Sequence, residues 1–215
     1  MKFPKLKALG LGIGLFVAVY VPAFTTTALV RAPIETAIPL IIAITLLVAL
    51  FLMFMLARSP TGMAEFGFCI PHSRHVASAT VLGLIIGLAV TFLSHLLPSK
   101  APFDVSGFAP WMIVLYFLVG ASIQEEIIFR GLIQSMVERQ WQVGLSLAGA
   151  SFSGAVAFTA VLFGIIHLDA GVIIALGAVV LGLLAGELRR RSGSLLPAII
   201  VHALFNAADA FWPLK

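Results

Sequence analysis

The chain has 215 residues, of which 61% are hydrophobic and 10% charged, with a mean hydropathy of +1.13 and a net charge of +4. A soluble domain of this length cannot bury so much apolar surface, so the composition indicates a polytopic membrane protein. The basic residues fall at helix ends and form no basic-aromatic patch, which argues against nucleic-acid binding. The single cysteine, Cys69, excludes an intramolecular disulfide framework.

Seven apolar segments approach the length of about 20 residues that a membrane-spanning helix needs. In chain order they are 8–26, 36–57, 78–97, 110–133, 149–167, 170–188 and 195–213. Pro110 and Pro197 lie near helix starts, where a missing amide proton costs little. We therefore predict an all-α, polytopic membrane helix bundle of about seven transmembrane helices. It would form a single integral membrane domain, 1–215, with no soluble domain, and the motifs described below lie in a core of roughly 110–213.

The first segment follows three lysines and has the general form of a secretory signal peptide. No small-x-small cleavage site occurs near residues 20–27, so we predict a retained first helix. The stretch Glu65–His75 reads as a short interfacial loop.

The basic residues predict an orientation. With the N-terminus inside, the inner side collects Lys2, Lys5, Lys7, Arg58, Arg74, Arg130, Arg139, Arg189, Arg190 and Arg191. The outer side keeps only Arg31, Lys100 and Lys215. The positive-inside rule then predicts an N-terminus inside and a C-terminus outside.

Two adjacent glutamates interrupt the fourth apolar segment. An acidic side chain at the centre of a membrane helix costs about 2.5–3.5 kcal/mol on insertion scales, so such residues are rarely without use. Glu126 and Arg130 are four residues apart and share a helix face, whereas Glu125 is rotated from Glu126 by about 100°. We predict that Glu126 neutralises Arg130 and that Glu125 faces the bundle interior, where it can exchange protons. An ion-paired helix end at the membrane surface would explain Glu126 and Arg130 but not Glu125.

Two later segments each carry a histidine with a helical neighbour. Phe163 lies one turn before His167 and could wall a pocket around its imidazole. His202 lies one turn before Asn206, whose amide could hold the imidazole in one tautomer or donate to an oxyanion. The simpler alternatives are a satisfied polar tip for His167 and an interhelical hydrogen bond for His202 and Asn206.

Helix geometry places Glu125 and His202 at similar depths in the membrane, but His167 only under a further condition. Glu125 lies about 22 Å from the outer end of its helix and His202 about 10 Å from the inner end of its own. His167 joins them only if residues 142–149 are interfacial, or if the fifth helix is short and breaks internally at residues 168–171. Irregular backbone at such depth is tolerated where it lines a polar cavity.

Three spaced motifs therefore lie in order on separate predicted helices: Glu125-Glu126-x-x-x-Arg130, Phe163-x-x-x-His167 and His202-x-x-x-Asn206. This set resembles the CAAX-protease and bacteriocin-processing family of intramembrane endopeptidases, which includes the type II CAAX prenyl proteases. Each motif is short, but the ordered trio is specific. The resemblance covers roughly 115–210 and fills every motif position.

The resemblance implies an intramembrane protease that hydrolyses a peptide bond with an activated water. Glu125 would act as the general base and His167 would position or polarise the water. His202 and Asn206 would stabilise the oxyanion of the tetrahedral intermediate.

The resemblance also implies the surroundings of the site. Glu126, Arg130 and Phe163 would support the catalytic residues. The partners would be the lipid bilayer and a peptide or lipidated-protein substrate, with a prenylated CAAX-type C-terminus as one option and no nucleic acid. The expected location is the bacterial cytoplasmic membrane.

A metal is the open question for this site. Glu125, His167 and His202 could together hold zinc, but the spacing His-Glu-x-x-His of zinc proteases is absent. We expect metal-free catalysis with no other cofactor.

Two alternatives from other classes remain. A small proton-coupled transporter also needs intramembrane carboxylates and histidines, although the polar residues here fall mainly in the second half without the internal symmetry typical of transporters. A non-catalytic membrane scaffold could keep the same motifs for folding or partner binding.

Overall fold

The computed structural model describes residues 4–58, 62–96, 108–141, 144–147 and 150–210. Seven helices make up most of this part of the chain. They are α1 (Pro4–Leu29), α2 (Ile34–Leu56), α3 (Ser73–Leu96), α4 (Pro110–Glu138), α5 (Gly154–Ile165), α6 (Val172–Ser192) and α7 (Leu196–Ala210). Shorter elements are two 3₁₀ turns, Gly62–Phe66 and Leu168–Ala170, and an antiparallel hairpin of β1 (Gly144–Leu147) and β2 (Ala150–Ser153).

The helical membrane bundle predicted from the sequence is confirmed. Five helices, α1, α2, α3, α4 and α6, are long and apolar enough to cross a membrane, and the shorter α5 and α7 are also apolar. The protein is therefore a multi-pass membrane protein. The end of the seventh predicted segment, residues 211–213, lies outside the described residues.

The predicted boundaries between the fourth and fifth segments were wrong. The fourth segment does not end at residue 133, because α4 continues to Glu138. The fifth segment was predicted to begin at residue 149, which lies outside the described residues, but residues Ala150–Ser153 form β2 and α5 starts only at Gly154. Ser153 caps α5 by accepting a 3.0 Å hydrogen bond from the Val156 amide, which fixes the start of the helix.

Small residues let the helices of the second half approach closely. At Gly182 of α6, a Cβ atom would lie 2.8 Å from the Cα atom of Ala160 in α5. At Gly83 of α3, a Cβ atom would lie 3.0 Å from the carbonyl oxygen of Val201 in α7. Such contacts between backbones are typical of helix pairs in membranes, where association depends on close packing.

Helix α4 runs through the centre of the bundle and is irregular. Two π-helical stretches, Val114–Ala121 and Ile127–Gln134, flank a short α-helical turn, Ser122–Glu126. The second stretch is entirely buried. π-helical geometry is rare and often occurs at functional sites. Its presence on both sides of Glu125 and Glu126 makes these glutamates candidates for a functional site.

The segment between α2 and α3 is more than the predicted interfacial loop. Phe66 is fully buried at the end of a 3₁₀ turn, and the guanidinium of Arg139 lies 5.1 Å from its ring centre. Arg139 also pairs with Glu65 at 2.6 Å, and Arg189 donates a 3.0 Å hydrogen bond to the Glu65 carbonyl. The segment therefore ties the ends of α4 and α6 together. The residues from Ser73 onward belong to α3.

One end of the bundle, which we call the basic end, contains the ends of α4 and α6 with Arg139, Arg189, Arg190 and Arg191. The end of α2 joins it, since Arg139 donates a 3.1 Å hydrogen bond to the Leu56 carbonyl. Arg130 does not belong there, although the sequence analysis counted it as an inner-side charge. It is fully buried in the middle of α4, so it carries no information about orientation.

Candidate active site

The two adjacent glutamates of α4 have different surroundings. Glu126 is fully buried, and its Oε1 atom lies 3.0 Å from Nη1 of Arg130, so the predicted ion pair is present. The side chain of Glu125 is 18% exposed. The rotation of about 100° between neighbouring helix positions separates a buried carboxylate from an accessible one.

His202 of α7 lies against both glutamates. Its Nδ1 atom is 2.8 Å from Oε1 of Glu126, and its Nε2 atom is 3.7 Å from Oε2 of Glu125. The sequence analysis gave Glu126 only Arg130 as a partner, and the structure adds His202. We call these four residues, Glu125, Glu126, Arg130 and His202, the polar centre.

The hydrogen bond to Glu126 fixes the tautomer and the orientation of the His202 imidazole. An ionised carboxylate can only accept, so Nδ1 carries the proton and Nε2 is the atom directed at Glu125. The imidazole is thus held by Glu126 and not by Asn206, which the sequence analysis had considered for this role. The deep burial of His202 leaves its ring little freedom to turn.

Phe163 of α5 joins the histidines to the ion pair. Its ring centre lies 4.6 Å from that of His167 and 5.6 Å from that of His202. The guanidinium carbon of Arg130 lies 4.6 Å from the same ring centre. Phe163 therefore forms a wall of the site for both histidines, which extends the role predicted for it.

His167 follows the short helix α5. Its Nδ1 atom lies 2.8 Å from the Phe163 carbonyl oxygen, so Nδ1 donates and Nε2 is free to face the site. Among the described residues, no hydrogen bond or ion pair joins His167 to Glu125 or His202. Both imidazoles instead pack against the ring of Phe163, so the centres of the two imidazole rings are no more than about 10 Å apart.

The short α5 explains how His167 reaches this depth. The helix has 12 residues and a length of about 18 Å, well below what a bilayer core requires. It is followed by the 3₁₀ turn Leu168–Ala170 and by Gly171 at φ +106°. The short fifth helix with an internal break, one of the two conditions that the sequence analysis gave for convergence, is present.

Asn206 uses both of its amide hydrogens inside the protein. Nδ2 donates to the Phe117 carbonyl at 3.0 Å and to Oγ of Ser122 at 3.2 Å. These bonds fasten α7 to α4 just outside the polar centre. An oxyanion could receive a hydrogen bond from Asn206 only if one of these two were given up.

Two further polar residues near the site were missed by the sequence analysis. Gln124 is buried and donates a 3.4 Å hydrogen bond to the hydroxyl of Tyr20 in α1. Gln134 is buried and donates to the Gly186 carbonyl of α6 at 3.1 Å. Gln134 lies eight residues after Glu126, so its helical spacing was a signal that could have indicated it.

The described side chains do not form a metal site of the usual kind. Within the described ranges, no group of three or more His, Cys, Asp or Glu side chains is arranged to hold a metal ion. Glu125 and His202 are neighbours, whereas the imidazole of His167 has its hydrogen bond, among the described residues, with the Phe163 carbonyl. The set of Glu125, His167 and His202 therefore does not fit a three-ligand site as it stands.

Comparison with known proteins identifies a family. A family model described as type II CAAX prenyl endopeptidase Rce1-like matches residues 107–208, which include α4, α5, α6 and most of α7. Residues 107–208 form an Rce1-like domain. The resemblance drawn from the three motifs is thereby confirmed, and the domain implies a membrane protease. No curated protein and no solved structure matches the chain.

The Rce1-like domain contains the whole polar centre, together with Phe163, His167 and Asn206. Helices α1, α2 and α3 lie outside the matched residues. They nevertheless reach the domain closely, since Tyr20 of α1 contacts Gln124 and its ring centre lies 6.3 Å from that of Phe129.

Proposed function

We propose that the protein is an intramembrane endopeptidase in which Glu125 activates a water molecule to hydrolyse a peptide bond. The observation that carries the proposal is the contact of one imidazole, His202, with both glutamates of the Rce1-like domain. Such a site needs no serine or cysteine nucleophile, because the attacking group is water.

Burial assigns the two carboxylates to different tasks. Glu126 is fully enclosed and already engages Arg130 and His202, so it supports the site without meeting a substrate. Glu125 is partly exposed, and Nε2 of His202 lies 3.7 Å from its Oε2 atom, beyond the length of a hydrogen bond. A general base must lie within hydrogen-bond reach of its water, and only Glu125 has an accessible face.

The reaction follows from this assignment. Glu125 takes a proton as the water oxygen bonds to the carbonyl carbon, and a tetrahedral intermediate forms. A protonated His202 donates from Nδ1 to Glu126 and from Nε2 towards the oxyanion. As the carbon–nitrogen bond breaks, Glu125 returns its proton to the leaving amine.

The remaining motif residues complete the proposed site. His167, fixed through Nδ1 by the Phe163 carbonyl, orients the water through Nε2. Asn206 positions α7 against α4 and becomes an oxyanion donor only when it releases Phe117 or Ser122. The mechanism uses no metal, and insensitivity of cleavage to a strong chelator is the corresponding test.

The substrate that we propose is a membrane-associated peptide or lipidated protein, including prenylated CAAX-type C-termini. We further propose that the basic end faces the inside of a bacterial cytoplasmic membrane, with the N-terminus inside and the C-terminus outside. The arginines at the ends of α4 and α6 support this orientation. Reporter fusions at both termini test it.

The decisive experiment uses purified protein in proteoliposomes and a fluorogenic peptide with a prenylated C-terminus. The same peptide without the prenyl group is tested in parallel. We expect cleavage by the native protein and its loss in Glu125→Gln. Glu35→Gln is the matched control, because Glu35 is exposed near the start of α2 and outside the Rce1-like domain. Equal cleavage by Glu125→Gln and native protein would refute the proposal. Uptake driven by a pH gradient without cleavage would favour a transporter.

A further inference from the structure

A row of polar residues continues from the polar centre along α4 to the basic end. Glu126, Arg130, Gln134 and Glu138 recur every four residues, so they share one face of the helix. Glu126 and Arg130 are joined at 3.0 Å, and Nε2 of Gln134 donates to Glu138 at 3.2 Å. The first three side chains are buried and Glu138 is partly exposed. We call these four residues the polar row.

The polar row has a gap in its hydrogen bonds at its centre. Within the polar row, the buried side-chain atoms without a hydrogen-bond partner among the described residues are Oε2 of Glu126, Nε and Nη2 of Arg130, and Oε1 of Gln134. Two of these are donors and two are acceptors. Buried polar groups in proteins are almost always satisfied by protein or by ordered water, so four such atoms within two helical turns indicate a site for water.

Two glycines of α6 lie against these atoms. A Cβ atom at Gly182 would lie 3.1 Å from Nη2 of Arg130, and one at Gly186 would lie 2.9 Å from Oε1 of Gln134. Both distances are too short for an ordinary Cβ contact, so a larger residue at either position would press on the unpartnered atom. With glycine there, no side chain from these two positions covers Arg130 or Gln134, and both atoms stay open to a water molecule.

We propose that the interface of α4 and α6 holds ordered water between Arg130 and Gln134, and that the polar row supplies water from the basic end to the polar centre. The supply role rests on the proposed function, because a hydrolase within the membrane consumes one water per bond cleaved. The binding role does not depend on it. The partly exposed Glu138 is the entrance of the row, and Glu126 is its inner end, bound to His202.

Two substitutions test the row. Gln134→Leu removes the central acceptor while keeping a side chain of similar size, and Gly186→Ala places a methyl group 2.9 Å from that acceptor. Gly164→Ala is the matched control. It faces α6 from α5, where its Cβ atom would be 3.0 Å from the Ala175 carbonyl and would overlap Val179, but it touches no residue of the polar row.

Hydration is measured by X-ray hydroxyl-radical labelling of the protein in lipid nanodiscs, read by mass spectrometry. Val156 and Phe163 are fully buried beside the row, with Val156 near Gly186 and Phe163 under Arg130. We expect both to be labelled above the level of the equally buried Ile128, and the labelling to disappear in Gln134→Leu and Gly186→Ala only. Labelling of Val156 and Phe163 no higher than that of Ile128 would overturn the proposal.

Cleavage provides the second measurement. We expect kcat to fall about tenfold in Gln134→Leu and Gly186→Ala with KM unchanged, and to stay near the native value in Gly164→Ala. Native kcat in both row variants would overturn the supply role. If Glu125→Gln still cleaves while the labelling pattern holds, the proposed function fails and the water site stands, so the two failures are distinguishable.

Discussion

His202 is hydrogen-bonded to Glu126, the fully buried glutamate of the pair, through a 2.8 Å contact between Nδ1 and Oε1. The same oxygen of Glu126 also binds Arg130. One carboxylate oxygen thus joins α7 to the buried cation of α4. Glu125, the partly exposed neighbour, takes no part in this contact, which is why we propose it as the reacting group.

The two glutamates should respond differently to the same substitution. Glu126→Gln leaves the guanidinium of Arg130 buried without a counter-charge, which costs about 3–5 kcal/mol, so we expect a large fall in melting temperature. Glu125→Gln should keep the native melting temperature and lose about 10²–10⁴-fold in cleavage rate. Thermal unfolding in detergent and peptide cleavage measure the two effects. Equal destabilisation by both variants would contradict the division of roles.

Asn206 offers a test of positioning against direct catalysis. If it fastens α7 to α4, Asn206→Ala and Ser122→Ala should be coupled by about 1 kcal/mol in a double-mutant cycle of stability, because each removes the same hydrogen bond.

A different outcome would assign Asn206 to the oxyanion. In that case Asn206→Ala would keep its stability, show no coupling to Ser122, and lose about 10²–10³-fold in kcat. Cleavage rates for both single variants, measured at saturating substrate, complete the comparison.

Phe163 should matter for catalysis beyond its contribution to the core. Phe163→Leu removes the ring shared by His167, His202 and Arg130, whereas Phe66→Leu removes an equally buried ring near Arg139. We expect both variants to lose about 1–3 kcal/mol of stability. Only Phe163→Leu should lower kcat. A similar loss of kcat in both would show that cleavage merely follows stability.

Sequence patterns predicted the parts of this fold that depend on one helix at a time. Apolar runs gave the number of helices, and the spacing of four residues gave the pair of Glu126 and Arg130. Contacts between helices were less accessible. His202 lies closer to Glu126 than to Glu125 because of the angle at which α7 crosses α4. The sequence patterns of the two helices do not determine this crossing angle.

The start of α5 shows a second limit. Residues 150–153 lie in the predicted fifth helix, but the chain there forms β2, and Ser153 supplies the cap of α5. Helix and strand cannot be separated by hydrophobicity in short apolar runs. The position of His167 depends on where α5 begins. The sequence could therefore place His167 near the other site residues only on the condition that α5 is short.

Two glycines with positive φ provide a matched test of the basic end. Gly67 has φ +96°, and a Cβ atom there would overlap the guanidinium of Arg189, whereas Gly193 has φ +71° and open space around it. Gly193→Ala should cost about 1–2 kcal/mol for the left-handed backbone alone. Gly67→Ala should cost about 1–3 kcal/mol more, because Arg189 must move.

Chemical unfolding of the two variants measures the difference. If they are equally stable, the side chain of Arg189 is not held against Gly67, and its hydrogen bond to the Glu65 carbonyl would contribute little to the end of α6.

Helix α1 lies outside the Rce1-like domain, yet its Tyr20 accepts a hydrogen bond from Gln124, the residue before Glu125, and its aromatic side chains cover Phe129. A fragment cut to residues 107–208 would lose this cover and leave a buried amide facing lipid. Transfer of the Rce1-like helices into another protein would therefore require α1 as well.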